Sequence, residues 1–486
     1  MRRSCDESWK TFNKTLGGKL IKTVPIGAIC HTNQSFVPYD AAKCAELQAH
    51  WTEADTHVSS PSSITAPFFA NQSCDPFVPP SSPCSIGTYV QYTVNATGAS
   101  DYQATIKFAK SNNIRLTIRN SAHDYLAKVT GAGAIALWTR HVRDIKVFDY
   151  KSDQYNGKAV KVGAGASTSE ISQALQSQRL VAVVGNAPTV GVAGGYTQGG
   201  GHGMIASRYG MAADQTLEWE IVTADGKLLT ASPSENKDLY WALGGGGGST
   251  YGVVLSMTVK AHPDEPTTAA YLQFGSEGIS ADLFYETVAT YLRNTLDIVD
   301  AGAGSIFQLT SAFFVVAPIF GMGKTKDEID ELVQPTINAL KEGEIPFTAL
   351  RTINEKGGIV SGLSVNVSKM PAIPNSVSPG WRSSPMNLVV GLLWDDTDWN
   401  ANIESQRLIT EEFIPALDRV SEQPPSAYMN EADPREPNWQ SVFYGSNYEE
   451  LLRIKKNYDP YDLFWARTAV GSESWVEGSD GRLCRA

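Results

Sequence analysis

The spacing of apolar and polar positions predicts regular secondary structure from about residue 100 onwards. Tyr102, Ile106 and Ala109 fall on one helical face behind a candidate cap at Ser100, and residues 114–118 alternate as in a strand. The same patterns predict strands at 145–148, 159–162, 181–184, 217–223 and 251–260, and helices at 168–176 and 236–243. Glycine-rich loops separate these elements. The region therefore favours an α+β lobe that contains βα units.

Longer elements follow a boundary at residues 262–266. Apolar periodicity predicts helices at 281–299, 326–340 and 399–417, and Pro335 is expected to kink or split the second of them. Strands are predicted at 269–274, 306–315 and 387–394. We expect a second lobe over 266–424, with helices on one face of a sheet. Residues 425–486, with a helix at 447–456, are expected to return to the first lobe beside a ligand cleft.

Residues 1–85 form a different kind of segment, rich in cysteine, proline and serine. Short helices are predicted at 8–16 and 41–51, and the stretch 61–83 is expected to wrap the surface. Five of the six cysteines lie in the first 84 residues, which favours disulfides and an oxidising compartment. Six cysteines allow about 15 pairings, so the connectivity stays open.

Glycosylation signals favour the same compartment. Four of five Asn-X-Ser/Thr sequons fall in the first 97 residues, so we expect N-glycans and secretion, although no signal peptide is visible. The alternative is an intracellular enzyme with free thiols. The sequons are at Asn13, Asn33, Asn71, Asn95 and Asn366.

Charge and motif content exclude several other classes of protein. The net charge is −11 and no basic stripe occurs, which argues against nucleic acid and anionic membrane surfaces as partners. No apolar run approaches the roughly 20 residues of a membrane span. The cysteines form no close pair, so no metal site is expected. The GxSxG and HExxH motifs are absent, so hydrolase and metalloprotease chemistry has no support.

Three loops offer glycine or backbone amides at the ends of predicted strands. They are residues 119–124, the glycine run 190–203, and Gly244–Gly248. Successive amide groups can cradle a phosphate, so the loops favour a diphosphate cofactor over flexible surface turns. Two other matches fail. Residues 163–168 lack the third glycine of a dinucleotide fingerprint, and residues 321–325 lack the first glycine of a P-loop because Pro318 occupies its place.

Several motifs occur together in the order of one known family. Residues 119–125, 130–133 and 138–139 resemble the histidyl-flavin segment of the berberine-bridge-enzyme-like oxidoreductases, in the vanillyl-alcohol-oxidase superfamily with the PCMH-type FAD domain. Residues 188–195, 199–201 and 208–214 resemble its second FAD loop. Residues 222–226 and 238–248 continue the order, and residues 428–430 and 458–464 resemble its C-terminal signature. The fungal subgroup that contains isoamyl alcohol oxidases is the most similar.

The resemblance implies a fold, a cofactor and domain limits. It implies a two-lobed α+β PCMH-type fold whose substrate lobe is an antiparallel sheet covered by helices. We expect a cysteine-rich extension at 1–85, an FAD-binding domain at 86–265, a substrate domain at 266–424, and a segment at 425–486 that completes the FAD site. His123 resembles the histidine that bonds to the flavin 8α-methyl. Many relatives have a cysteine for a second link where this chain has Ala187, so a single link is expected.

Most of the expected cofactor-binding residues belong to the glycine loops. Ala122 departs from the family, because relatives usually have glycine there, and Tyr196 and His202 either face the flavin or are structural. The residues expected to bind FAD are Arg119, Asn120, Ser121, Ala122, His123, Asp124, Gly185, Thr189, Val190, Gly191, Gly194, Gly195, Gly199, Gly200, Gly201, Asp214, Gly252, Val253, Val254 and Asn430.

The implied activity is oxidation of a small organic substrate. A hydride would pass from an alcohol, amine or natural product to the flavin, with O2 as the electron acceptor. Tyr428, Glu431 and Asp433 are candidates for the base that removes the substrate proton, and Asp395 is an equal alternative. A dehydrogenase, an oxidative cyclase and a non-catalytic secreted glycoprotein are the other functions that the sequence leaves open.

Overall fold

The computed structural model describes residues 6–339, 348–369, 371–421, 423–478 and 481–486. Its helices are α1 Asp6–Thr15, α2 Ala41–Ala49, α3 Ala54–Val58, α4 Ala99–Asn112, α5 Thr168–Gln176, α6 Ala206–Tyr209, α7 Lys237–Leu243, α8 Ala281–Asp300, α9 Lys326–Ala339, α10 Thr348–Glu355, α11 Gly380–Ser383, α12 Trp399–Leu408, α13 Ile414–Asp418, α14 Trp439–Tyr444 and α15 Tyr448–Tyr458.

The strands are β1 Leu20–Lys22, β2 Tyr92–Asn95, β3 Leu116–Arg119, β4 Ile135–Trp138, β5 Ile145–Lys151, β6 Asn156–Gly163, β7 Leu180–Val181, β8 Thr216–Val222, β9 Leu228–Ala231, β10 Val253–Lys260, β11 His262–Pro263, β12 Thr267–Gly275, β13 Gly304–Leu309, β14 Phe313–Met322, β15 Ile359–Ser364, β16 Met386–Gly391, β17 Trp475–Glu477 and β18 Leu483–Arg485.

Two sheets build the part of the molecule that contains the glycine loops. One has the order β1-β2-β4-β3, with β4 parallel to both neighbours, and the other is antiparallel with the order β5-β6-β10-β8-β9. Helix α4 buries the predicted face of Tyr102, Ile106 and Ala109 against both sheets. Burial of these apolar side chains fixes the end of β3, where the loop 119–124 begins.

The C-terminal segment packs onto the far side of the second sheet. Phe443 of α14 and Leu451 and Ile454 of α15 share one apolar core with Trp219 of β8 and Met257 of β10. These contacts hold residues 428–431, which precede α14, against the glycine run.

The second lobe is an antiparallel sheet with the order β12-β14-β13-β15-β16. Helices α8, α9 and α10 cover one face, where Phe284, Tyr291, Phe307, Phe314 and Ile353 form an aromatic-rich core. The α+β class and the helix-covered antiparallel sheet are as predicted. The opposite face of the sheet is free to line a cavity.

Several local predictions differ from the structure. The strand predicted at 306–315 is a hairpin of β13 and β14, because the Thr310 hydroxyl accepts hydrogen bonds from the Ala312 and Phe313 amides and turns the chain. Of the strand predicted at 181–184, only Val181 lies in a strand, as the last residue of β7. Helix α4 begins at Ala99, so Ser100 lies inside its first turn. Pro335 stays inside α9, and residue 340 lies outside the described residues.

The extension contains two disulfides, Cys30–Cys44 and Cys74–Cys84. Cys484 is exposed without a disulfide partner in the described part of the chain, and Cys5 lies outside it. Among the described residues, no helix is long and apolar enough to cross a membrane. Within the same ranges, His, Cys, Asp and Glu side chains form no group of three that could hold a metal ion.

Candidate cofactor and substrate site

Two cavities meet between the glycine loops and the second lobe. The loop cavity, of about 340 Å³, is lined by residues of 118–129, the run 185–202, residues 248–254 and residues 428–431. The sheet cavity, of about 1060 Å³, lies between the open face of the second-lobe sheet, the C-terminal segment and residues 65–69 of the extension. Five residues line both cavities, namely Tyr125, Asn186, His202, Tyr428 and Glu431.

The loop after β3 is tied to the glycine run by side chains. The Ser121 hydroxyl accepts a hydrogen bond from the Gly191 amide at 3.2 Å. The Asn120 amide donates to Thr139 Oγ1 at 2.9 Å and to the Ala164 carbonyl at 2.6 Å. A Cβ at Gly191 would collide with Asn120 Oδ1, so this approach requires glycine.

His123 lines the loop cavity and is held by one hydrogen bond. Its Nε2 lies 2.7 Å from Thr189 Oγ1, and Nδ1 has no hydrogen-bond partner among the described residues. Burial lowers the pKa of His123, so the imidazole is neutral near pH 7. Ala187 lines the same cavity.

The turn that carries His123 is strained at Ala122. This buried residue has φ of 62°, in the left-handed region that disfavours a Cβ. Asp124 closes the turn, because its carboxylate accepts from the Leu126 amide at 2.9 Å and the Val129 amide at 2.8 Å. Burial raises the pKa of Asp124, and these amides oppose that effect.

The walls of the loop cavity fit a diphosphate cofactor. A Cβ at Gly248 would lie 3.2 Å from the Gly195 Cα, a tight contact, so the two glycine loops approach each other closely. Where glycines line the wall, backbone groups can approach a phosphate closely. The polar lining includes the neutral His123, the lysine Lys128, and the carboxylates of Asp124 and Glu431.

Most of the predicted cofactor residues line this cavity. Thr189 reaches it through its contact with His123. The others in the walls are Asn120, Ser121, Ala122, His123, Asp124, Gly185, Val190, Gly191, Gly194, Gly195, Gly252, Val254 and Asn430.

Arg119 and Asp214 do not reach the cavity. The fully buried Arg119 guanidinium turns towards the extension and donates to the carbonyls of Ser63, His57 and Ser60 at 2.5–2.9 Å. The Asp214 carboxylate pairs with the Arg382 guanidinium at 2.7 and 2.8 Å. Both side chains join segments of the protein, because their hydrogen bonds go to other parts of the chain.

Four further predicted residues lie behind the cavity walls. Val253 is buried in the core between the two sheets. Gly199 supports Asn430, since a Cβ there would lie 2.5 Å from the Asn430 Nδ2, and Gly200 and Gly201 have φ of 116° and 70°. Their positive φ values turn the chain behind the glycine run.

Glu431 lies at the junction of the two cavities with both carboxylate oxygens engaged. His202 Nε2 is 3.1 Å from Oε1, and the Asn387 side chain donates to Oε2 at 3.0 Å. Asn387 belongs to β16, so the second lobe contributes directly to this group.

Tyr428 packs beside this group. Its ring lies 4.9 Å from the His202 ring and 5.6 Å from that of Trp381. Its hydroxyl accepts from Asn430 Nδ2 at 2.8 Å, and burial together with Glu431 raises the pKa of Tyr428. The phenol is therefore protonated at neutral pH.

The other two carboxylates lie farther from the junction. Asp433 lines only the sheet cavity, where it accepts from Thr410 Oγ1 at 2.6 Å and from the Arg435 amide at 2.9 Å. Asp395 lines neither cavity and accepts from the Thr397 and Asp398 amides.

Sequence reasoning missed several residues that line the cavities. Phe68, Phe69 and Trp381 line the sheet cavity, and Lys128 lines the loop cavity. Lys128 lies five positions after His123, which was a usable signal. The aromatic pair in the Pro/Ser-rich stretch of the extension was another.

Comparison with known proteins identifies the relatives of this chain. A family model described as "FAD binding domain" matches residues 90–232, and one described as "Berberine and berberine like" matches residues 427–471. FAD-linked oxidoreductase sor8 of Hypocrea jecorina is 45% identical, with 98% of this chain and 90% of that protein covered. VAO-type flavoprotein oxidase VAO615 of Thermothelomyces thermophilus is 38% identical, with 98% of this chain and 93% of that protein covered.

Solved structures agree with these matches. The crystal structure of the VAO-type flavoprotein MtVAO615 at pH 5.0, from Myceliophthora thermophila C1, has a TM-score of 0.94 at 36% identity, covering 99% of this chain and 98% of that one. The C166A variant of berberine bridge enzyme shares the fold, with a TM-score of 0.65 at 17% identity, covering 89% of this chain and 96% of that one.

Proposed function

Because this chain belongs to the berberine-bridge-enzyme-like FAD-linked oxidoreductases of the vanillyl-alcohol-oxidase type, we propose that it is an oxidase of small alcohols, amines or natural products with O2 as electron acceptor. The observation that carries the proposal is the meeting of the two cavities at Glu431, between the FAD-binding loops and a space large enough for a substrate. The oxidase name of the relative VAO615 supports the choice of O2.

Glu431 is the proton acceptor in this proposal. FAD, when bound, supplies a two-electron acceptor for the hydride that leaves the substrate carbon. The substrate O–H or N–H proton passes to the Glu431 carboxylate, and a C=O or C=N bond forms. Asn387 and His202 hold the two carboxylate oxygens, which orients the group towards the junction. Two electrons and two protons then convert O2 to hydrogen peroxide.

Tyr428 and Asp433 have other roles in the proposal. The raised pKa of Tyr428 favours a protonated hydroxyl, which can donate a hydrogen bond but is a poor base at neutral pH. Asp433 contributes charge to the wall of the sheet cavity at a distance from the cofactor loops. The aromatic rings of Trp381 and Tyr428 give the sheet cavity an apolar wall near Glu431.

We also infer a single covalent bond between His123 and the flavin. The neutral imidazole with Nδ1 unpaired supports this bond: when FAD is bound, an Nδ1–C bond would replace one C–H bond of the 8α-methyl, the released proton and two electrons would reduce the flavin ring, and O2 would reoxidise it. The methyl group of Ala187 supports the absence of a second, cysteinyl bond, because it offers no sulfur.

Acid precipitation of the purified yellow protein tests the cofactor part of the proposal. We expect the colour to remain with the pellet of the wild type and to be released from His123→Ala. Release from the wild type would contradict the covalent bond while leaving FAD in place.

A peroxide assay tests the reaction. A panel of alcohols, amines and phenols is screened for flavin bleaching without oxygen and for peroxide release with oxygen. Bleaching without peroxide would replace the oxidase by a dehydrogenase, and no bleaching with any substrate class would contradict the redox proposal.

Secretion is part of the same proposal, and it predicts N-glycans. The two disulfides of the extension and the exposed sequons at Asn33 and Asn71 support it. We expect peptide N-glycosidase to lower the apparent mass of the protein from its native host, and Asn33→Gln with Asn71→Gln to reduce that shift. An unchanged mass after glycosidase treatment would contradict glycosylation at these sites.

A further inference from the structure

Lys128 is a lysine on the wall of the loop cavity. It lies in the turn that Asp124 closes through the Leu126 and Val129 amides, and Ala127 in that turn has φ of 59°. The reversal of the chain at Ala127 brings Lys128 beside the Gly244–Gly248 loop. A Cβ on Gly247 would lie 3.9 Å from the Lys128 Nζ.

The ammonium group of Lys128 has no hydrogen-bond or ion-pair partner among the described residues. Burial lowers its pKa to about 8, and the charge of Asp124 opposes that shift. An ammonium removed from bulk water is costly unless an anion or hydrogen-bond acceptors compensate for the lost hydration. Its surroundings therefore favour a bound anion or hydrogen-bond acceptor that is not part of the protein chain.

The charges around the cavity point to that acceptor. Asp124 and Glu431 are its carboxylates, and Lys128 is the only lysine or arginine among its described lining residues. The nearby Arg119 guanidinium is committed to three carbonyl groups of the extension. The diphosphate of FAD carries two negative charges, so a cavity lined only by carboxylates would repel it.

We propose that Lys128 binds the diphosphate of FAD against the Gly244–Gly248 loop. The ammonium supplies the charge, and the glycine loop supplies close backbone approach. This role rests on FAD as the cofactor of the family, and it is independent of the covalent bond at His123 and of substrate oxidation.

Titrations in a His123→Ala background test the role, because there the cofactor can exchange. The FAD-free protein is titrated with FAD and, separately, with ADP, which contains a diphosphate but no flavin. We expect Lys128→Met to raise the Kd for both by about tenfold to a hundredfold. Lys128→Arg keeps the charge and is expected to retain most of the affinity. Lys110→Met is the matched control, because Lys110 donates to the Ala224 carbonyl outside the cavity.

The two ligands separate the possible outcomes. Loss of FAD affinity with unchanged ADP affinity would overturn the proposal, because the ammonium would then face the flavin ring. Unchanged affinity for both ligands would also overturn it. If Lys128→Met does not fold, Lys128→Gln takes its place. As a further test, the affinity of the His123→Ala variant for ADP must fall as the NaCl concentration is raised. None of these readouts requires turnover.

Discussion

At the scale of single residues, Glu431 is the group whose removal should separate chemistry from cofactor binding. Its carboxylate reaches both cavities, and Glu431→Gln keeps its shape without its charge. We expect flavin reduction by substrate to slow by about 10²- to 10⁴-fold, with the flavin spectrum preserved. Anaerobic stopped-flow absorbance measures that rate. Asp433→Asn is the comparison, and an equal loss there would contradict the role of Glu431.

Ala122 offers a test of backbone strain. A left-handed conformation costs a non-glycine residue about 1–2 kcal/mol, and glycine loses about 0.5–1 kcal/mol through backbone entropy. Ala122→Gly should therefore raise the free energy of unfolding by up to about 1 kcal/mol. Ala136→Gly, in the buried strand β4, should lower it. Denaturant unfolding of the two variants measures these changes. A lower free energy of unfolding for Ala122→Gly would show that the Ala122 Cβ has a packing role.

The sequence locates the loops that line the cavity where glycine and His123 mark them. Glycine runs and His123 follow one another in a fixed order, so their loops can be located without knowing any long-range contact. The direction of a side chain cannot be predicted from these motifs. Arg119 and Asp214 stand within the motifs, but they face the extension and Arg382. Asn387 meets Glu431 from a different lobe, and no local pattern predicts such a pairing.

At the scale of elements, the ion pair of Asp214 and Arg382 joins the loop before β8 to α11. The side chains of Arg382 and Asp214 are only 11% and 4% exposed, so removal of one partner leaves a poorly compensated charge. Asp214→Asn should lower the free energy of unfolding by about 3–5 kcal/mol. We expect the flavin spectrum of the folded variant to remain that of the wild type. A variant of full stability that loses FAD would instead make Asp214 a cofactor ligand.

The extension forms a wall of the sheet cavity, which predicts an effect on substrate binding. Phe68 stacks on Trp399 of α12 at 5.5 Å, and the Thr88 hydroxyl donates to the Phe69 carbonyl at 2.8 Å. Phe68→Ala should raise KM by about tenfold for a substrate that fills the cavity and leave kcat nearly unchanged. Phe77→Ala, whose ring packs on Trp51 away from the cavity, is the control. Equal effects of the two variants would contradict the assignment.

Helices and strands with a clear apolar pattern were predicted near their observed bounds, and short strands without such a pattern were not. Helices α4, α5, α8 and α15 each bury one face, so their periodicity is visible in the sequence. The short strands β1 and β9 lack such a signal, because pairing with β2 and β8 defines them. The hairpin of β13 and β14 was predicted as one strand, because the small residues of its turn scarcely interrupt the apolar pattern.

At the scale of the whole molecule, the charge of the sheet cavity predicts which substrates it accepts. Its described lining contains Asp418, Glu431, Asp433 and Glu436 and no lysine or arginine. Burial raises the pKa of Asp418 and of Glu436. Asp418 and Asp433 also raise the pKa of Glu436. Two arginines lie just outside that lining: the guanidinium of Arg435 is 5.5 Å from the Phe68 ring, and that of Arg467 is 5.9 Å from the Phe69 ring.

A matched pair of substrates measures this discrimination. Benzyl alcohol and 4-(hydroxymethyl)benzoate have the same reacting carbon and differ by one carboxylate. We expect kcat/KM at neutral pH and low salt to be about tenfold lower for the charged member, because it meets like charges. Added salt should narrow the difference. Equal values at low salt would contradict electrostatic exclusion.

The two disulfides of the extension each close a loop within it, at separations of 14 and 10 residues. The segment also has a small core of its own, around Ala28, Ile64 and the Cys74–Cys84 cystine. Its stability is thus partly independent of the FAD-binding loops, although it supplies a wall of the sheet cavity. Mutations can therefore accumulate in this wall without disturbing the cofactor, and an enzyme built in this way can acquire new substrates while its redox chemistry stays constant.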